Sequence, residues 1–313
     1  MATRLSDDEI EALRKIRNDT GPSAREITID NGATYTQMHF LASVFESTGL
    51  ERFKEGFLNG VDYLLEAQYE NGGWPQYYPG REGYYENITF NDGAMIGVMN
   101  ILRDIAVGKY PFVDSSRSQS AKLAIEKGVQ AILDTQIEVE GSLTAWCAQY
   151  DPITLEPACA RTYELKSISG SESVGILRYL MGIEHPDARI IRAVNEAIKW
   201  FDRVKLEDIR LIRTRNESLP RGFDLVVGFD PESKTPLWAR FYEIGTNYPI
   251  FVGRDGVVKY ALSEIEHERR VGYSWLGNYA GHMISEEYPA WCEKWNINNV
   301  IEESRTKNGE IRE

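Results

Sequence analysis

Apolar positions recur at helical spacing along most of the chain. Between Gly32 and Thr48 they fall at Phe40, Leu41, Val44 and Phe45, with Gly49 as a stop. Between Arg52 and Gln68 they fall at Phe53, Phe57, Val61, Leu64 and Leu65. Steps of three and four put such side chains on one helix face, so the two stretches predict a helical hairpin. The pattern then returns. Asp92 to Ala106 is apolar almost all round, which predicts a buried inner helix, and Gln119 to Gln136 is amphipathic. A weaker third copy opens at Ser171-Glu172-Ser173-Val174, runs apolar to Gly182 and continues over Ala193 to Val204.

Local matches tie the copies together. Gly60-Val61 through Gln68 resembles Gly128-Val129 through Gln136, and each is followed by a loop carrying a Trp and a Gln-Tyr pair: Trp74 with Gln76-Tyr77, Trp146 with Gln149-Tyr150. Helical pairs that cannot bury their apolar faces alone stack on a shared core. The expectation is an all-α fold, an (α/α)3 toroid of three helical hairpins over residues 28–205. An irregular flap with short strands, such as Asp224–Val227 and Ala239–Glu243, and a terminal helix opened by Ser263 and Glu266 should occupy 206–295. The whole, 1–313, reads as a single catalytic domain. A short packing helix over 5–19, with Ser6 and Glu9 as a capping box, precedes it, and the polar tail after Trp295 should fray. In such an array the helix starts at 30–31, 91–92 and 171–172 and both Trp loops meet on one rim.

Composition narrows the function. With 313 residues, 42% of them hydrophobic and 11% aromatic, the chain can bury a sizeable core. No run approaches the roughly 18 apolar residues of a membrane-spanning helix, and the charged start lacks the apolar core of a signal peptide. A net charge of −13 argues against nucleic acid as the partner. A polyanion would need clustered Arg and a bridging cation to overcome that field. Cys147, Cys159 and Cys292 form neither a disulfide framework nor a metal spacing, and pairing of Cys147 with Cys159 stays open beside free thiols.

Three groups of residues could carry chemistry. Asp30 and Asn31 precede Gly32-Ala33, and the motif is echoed at Asn91-Asp92-Gly93-Ala94. Such oxygens cap helices routinely, and they are also hard donors of the kind Ca²⁺ takes. Trp74, Tyr77, Tyr78, Tyr84 and Tyr85 crowd one loop. They either hold sugar faces or close the end of the helical array. Arg161, Arg240 and Arg254 offer planar forks that match carboxylates, although Arg254, in Gly253-Arg254-Asp255-Gly256, also fits a simple turn. His39, His185, His267 and His282 share no metal spacing, and hydrolytic or phosphate-loop motifs are absent.

The segments ITIDNGAT, GGWPQYYP, ITFNDGAM, RTYELKSISGSES, LWARFY, TNYPIFVGRDG and EIEHERRVGYSW, in this order from about residue 24 to 295, resemble the family 10 pectate lyases. The resemblance implies a calcium-dependent β-elimination on polygalacturonate, yielding 4,5-unsaturated oligogalacturonides. It implies Asp30, Asn31 and Asp92 as calcium ligands, Arg254 as the base, and Arg161 and Arg240 as ligands of substrate carboxylates; beside these, the residue types of the aromatic loop nominate Trp74 and Tyr77 to hold sugar. It further implies a secreted protein whose leader is missing from this sequence, and a monomer is expected. An arginine is an unusual base, but crowding by cations in a dry cleft favours its neutral form. Two other readings stay open: an inverting glycoside hydrolase using carboxylates such as Asp30 and Glu164, and a non-catalytic binding protein for acidic polysaccharide.

Overall fold

In the computed structural model, which describes residues 6–19 and 27–304, the chain divides into two compact units. The first comprises Met1–Thr135 and Ala148–Ala158, the second Gln136–Cys147 and Cys159–Glu313. No helix among the described residues is long and apolar enough to cross a membrane.

The first unit holds helices α1 (Asp7–Asp19), α2 (Tyr35–Thr48), α3 (Glu51–Glu66), α4 (Ala94–Ala106) and α5 (Ser115–Asp134). The capping box at α1 forms, with Glu9 N–H donating to Ser6 Oγ and Ser6 N–H to Glu9 Oε2; Leu5 lies outside the described residues. Arg14 ties α1 down through two bonds of 2.8 Å to the buried Glu86. α2 ends at Gly49, whose φ of 67° gives the left-handed turn that α3 needs to fold back, and α2 packs on α3 and α4 on α5 as hairpins. α4 buries Met95, Ile96, Val98, Met99, Ile101, Leu102 and Ile105, the inner helix that its pattern predicts.

The second unit contains the third hairpin, α6 (Glu172–Met181) and α7 (Ala188–Val204). α7 starts earlier than the repeat suggested because Asp187 accepts bonds from the N–H groups of Arg189 and Ile190. Beyond it, Ile209–Arg215 and Phe223–Phe229 form an antiparallel ribbon, and Ile168–Ser169 pairs with Phe241–Tyr242. The all-α class with three hairpins and short strands therefore stands.

Two local expectations are corrected. Ser263 and Glu266 do not form a capping box: a short 3-10 turn occupies Leu262–Glu264, α8 spans His267–Gly272, and Glu264 accepts from Ala261 N–H. Glu266 is used elsewhere, on Arg254. The tail after α9 (Tyr288–Trp295) does not fray at once, because residues 300–304 are helical with Val300 and Ile301 buried. Residues 305–313 lie outside the described residues.

Candidate active site

In the first unit, Asp30–Gly32 and Asn91–Gly93 form two 3-10 turns that pack on each other. Their backbones coincide: Asn31 has φ 49°, ψ 27° and Asp92 has φ 50°, ψ 27°. This is the left-handed region, which Asn and Asp tolerate better than other side chains. The following helices start later, with Thr34 at the N-cap of α2 and Gly93 at that of α4, so Asp30, Asn31 and Asp92 do not serve as their caps. Asn31 Nδ2 donates to Asp30 Oδ2 at 3.1 Å and Asn91 Nδ2 to Asp92 Oδ2 at 2.9 Å. Tyr35 reports on both turns. Its ring lies so close to Gly97 that a Cβ there would sit 2.1 Å from a ring carbon, and its phenol is pushed up by burial and then by the charges of Asp30 and Asp92.

Among the described residues no group of three or more His, Cys, Asp or Glu gathers as a metal site. The set here is different: two carboxylates plus the Asn31 carboxamide, whose nitrogen is committed to Asp30 and whose oxygen is thereby left as the donor. These hard oxygens suit a divalent cation such as Ca²⁺, which fills its remaining positions with water or ligand.

The aromatic loop of the same unit divides by burial. Trp74 is 0% exposed, its Nε1–H donates to Leu64 O at 2.8 Å, and its ring lies over Gly128. A ring with no accessible face cannot stack on a sugar, so the substrate-binding role expected of Trp74 gives way to packing. Tyr77 is half-buried. It meets Tyr85 edge-on at 5.3 Å, and Arg81 lies over both rings, 4.9 Å from Tyr77 and 4.1 Å from Tyr85. Its main chain pairs with Thr28, and Ile29 N–H donates to Gln76 O at 3.1 Å, so the loop is stitched to the segment that leads into Asp30.

In the second unit the three sequence-selected arginines meet around two tyrosines. Tyr163 and Tyr273 pack edge-to-face with ring centroids 5.4 Å apart. Arg161 Nη1 donates to the Tyr163 hydroxyl at 3.2 Å, the Arg254 guanidinium lies 5.5 Å from the Tyr163 ring, and that of Arg240 lies 4.7 Å from the Tyr273 ring. Carboxylates fix the cations. Buried Glu172 accepts from Arg240 Nη2 at 2.5 Å. Glu268 accepts from Arg254 Nε and Nη2, both at 3.2 Å, and from Arg269 Nε at 2.8 Å. Bonds from Arg269 and then Arg254 pull its carboxyl down to about 2. Glu164 is buried and accepts from the Tyr273 hydroxyl at 2.9 Å, while burial keeps the Tyr273 phenol protonated.

Arg254 is the most accessible of the three, with a side chain 60% exposed. Its backbone N–H donates to Glu266 Oε1 at 2.5 Å, and a Cβ on Gly253 would lie only 2.0 Å from Glu266 Oε2. A side chain at 253 would have to displace the Glu266 carboxylate that accepts from Arg254 N–H, so Arg254 sits on a backbone clamped by Glu266. Arg240 also borders a polar cavity of about 390 Å³ with Arg221, Arg270, Tyr273 and Ser274. The sequence reading gave no part in the chemistry to Tyr163, Glu172, Glu266, Glu268, Arg269 or Tyr273. Their signal was present, since all lie in or beside the segments RTYELKSISGSES and EIEHERRVGYSW.

A group of cations held by tyrosines and carboxylates suits the capture of an acidic ligand and the stabilisation of charge that develops on it. The chain matches the profile of the pectic acid lyase family over residues 5–284. Among solved structures it is similar to a family 10 polysaccharide lyase from Cellvibrio cellulosa, at 31% identity over 95% of this chain and 99% of that one, with a TM-score of 0.76. It is also similar to a mutant of a family 10 polysaccharide lyase from the same organism in complex with trigalacturonic acid, at 36% identity over 86% of this chain and 82% of that one, again with a TM-score of 0.76. No curated protein matches it.

Proposed function

Because the chain belongs to the pectic acid lyase family and is a pectate lyase, we propose that it cleaves de-esterified polygalacturonate by calcium-dependent β-elimination, leaving 4,5-unsaturated oligogalacturonides. The observation that carries the reading is the gathering of Arg161, Arg240 and Arg254 around Tyr163 and Tyr273.

The proton to be removed sits on the carbon beside a uronate carboxylate and is a poor acid. Asp30, Asn31 and Asp92 would hold calcium, and the chemistry that the ion would supply there is neutralisation of a substrate carboxylate, which would stabilise the charge that grows as the proton leaves. Arg161 and Arg240 bind substrate carboxylates through their N–H forks, with Glu172 and Tyr163 keeping those forks in place. Arg254 takes the proton, and the electron pair of the breaking C–H bond forms the double bond as the glycosidic oxygen leaves. Tyr77 offers a ring face to the sugar. The protein acts outside the cell, as a monomer and as one catalytic domain.

The experiment is to compare Arg254→Ala and Arg254→Lys with the wild type on polygalacturonate. Loss of a positioned base costs roughly 10²- to 10⁴-fold in kcat, and Lys should not restore it because its ammonium lacks the fork and sits elsewhere. Oligogalacturonate affinity should persist in Arg254→Ala. A variant that has lost affinity but turns over normally at saturation would make Arg254 a binding group and refute its role as base.

A further inference from the structure

Arg81 is the charged residue of the aromatic loop that the proposed mechanism leaves without a task. Its guanidinium carbon packs against two tyrosines set edge-on to each other, 4.1 Å from the Tyr85 ring centroid and 4.9 Å from that of Tyr77. Among the described residues no carboxylate or carbonyl accepts from it. The setting makes this notable, since the protein carries a net charge of −13 and other arginines of the unit are matched to acids, Arg14 to Glu86 and Arg117 to Asp62 and Asp114. A guanidinium held against aromatic rings by cation–π attraction is restrained in position while its N–H groups stay available to an acceptor. Tyr84 packs on Tyr85 with ring centroids 4.1 Å apart and planes tilted by 33°, which stiffens the platform.

Resting on the reading of the protein as a pectate lyase, we propose that Arg81, with Tyr77 and Tyr85, forms an accessory subsite that binds the carboxylate of a uronate residue away from the bond being cut. The loop is positioned for this. Thr28 Oγ1 both donates to Gln76 O and accepts from Asp30 N–H at 3.1 Å, so the residue before Tyr77 and the first residue of the Asp30 turn share one hydroxyl. On this proposal a polyuronate held at Asp30 and Asp92 extends along the loop that this hydroxyl ties to Asp30, over Tyr77 to Arg81. The tyrosines supply sugar contact and Arg81 supplies the discrimination: a free carboxylate accepts a two-pronged hydrogen bond, and a methyl ester or neutral hexose does not carry the charge.

The test is the steady-state kinetics of Arg81→Gln and Arg81→Lys on polygalacturonate, with calorimetric titration of oligogalacturonate and of a neutral galacto-oligosaccharide. Arg81→Gln should raise KM roughly 3- to 10-fold with kcat within a factor of two, as expected for one partly exposed charge-assisted contact. The defect should shrink as salt approaches 1 M, where screening removes the advantage of the wild type. Arg81→Lys, which keeps the charge and loses the fork, should fall between the two and serves if Arg81→Gln folds poorly. Unchanged KM in a variant with lowered Tm would reduce Arg81 to a packing residue and overturn the subsite, as would an equal loss of affinity for the neutral sugar. A wild type inert toward polygalacturonate overturns the proposed function and this inference together. An active wild type with an unaffected Arg81→Gln overturns the inference alone.

Discussion

Replacing Gly253 with alanine should disable catalysis while sparing the fold. The added Cβ would lie 2.0 Å from Glu266 Oε2, and ordinary contact begins at 3.4 Å, so about 1.4 Å (3.4 − 2.0) must be found by moving the Gly253–Arg254 backbone or the Glu266 carboxylate. Either route breaks the 2.5 Å bond from Arg254 N–H to Glu266. The stability cost is small, about 1 kcal/mol for one hydrogen bond at an accessible site. The catalytic cost is larger, because a misplacement of about 1 Å in a reacting group lowers rate on the order of 10²-fold. Initial rates of unsaturated-product formation should therefore show kcat down by roughly 10² with KM within about threefold, and thermal melts should stay close to those of the wild type. Glu266→Gln is the control: an amide oxygen still accepts from Arg254 N–H, so the loss should be much milder. Wild-type kcat in a folded Gly253→Ala protein would refute the claim that clamping this backbone matters to the chemistry.

Three further outcomes follow from named contacts. Trp74→Ala should destabilise by roughly 3–5 kcal/mol, the cost of emptying a fully buried aromatic site, with KM of the folded protein unchanged; a raised KM with normal Tm would return the ring to the binding surface. Glu268, whose carboxyl is lowered in the fold from 4.5 to about 2, contributes stability that is present above pH 4.5 and lost as pH falls toward 2. The Tm difference between wild type and Glu268→Gln should thus exist at neutral pH and close across that window, and a gap that persists at pH 2 would contradict the ion pairs with Arg269 and Arg254. Asp92→Ala should lose most activity and require far more added Ca²⁺ while keeping its helical circular dichroism, since nothing in α4 depends on Asp92 as a cap.

The hairpins were legible because amphipathic spacing survives in a single sequence, and the match of Gln68 to Gln136 has a physical basis. Gln68 Nε2 donates to Ala124 O and Gln136 Nε2 to Ala193 O, so each amide bridges to the second helix of the next pair. A third tryptophan of this kind was overlooked. Trp238 Nε1–H donates to Phe201 O as Trp74 does to Leu64 O, and the sequence held the signal, since aligning Ala197-Ile198 with Gly60-Val61 sets Phe201 against Leu64. Less was legible where partners lie far apart along the chain. Glu172 reaches Arg240 across a strand pairing that no periodicity encodes. The direction of Trp74 was equally hidden, because a ring in a glycine-rich loop is compatible with facing in or out. The pairing of Asn31 with Asp92 as matched left-handed residues was foreshadowed by the repeated motif, although their backbone angles were not.

The most direct measurement is the near-ultraviolet absorbance of product formed from polygalacturonate by protein stripped of metal with a chelator, followed as Ca²⁺ is added back. The expected result is no absorbance before addition and a saturable rise after it, because elimination creates a conjugated double bond and the proposed mechanism requires the cation at Asp30, Asn31 and Asp92. New reducing ends without absorbance would reveal hydrolysis, binding without cleavage would reveal a carbohydrate-binding protein, and full absorbance in the stripped protein would remove calcium from the mechanism.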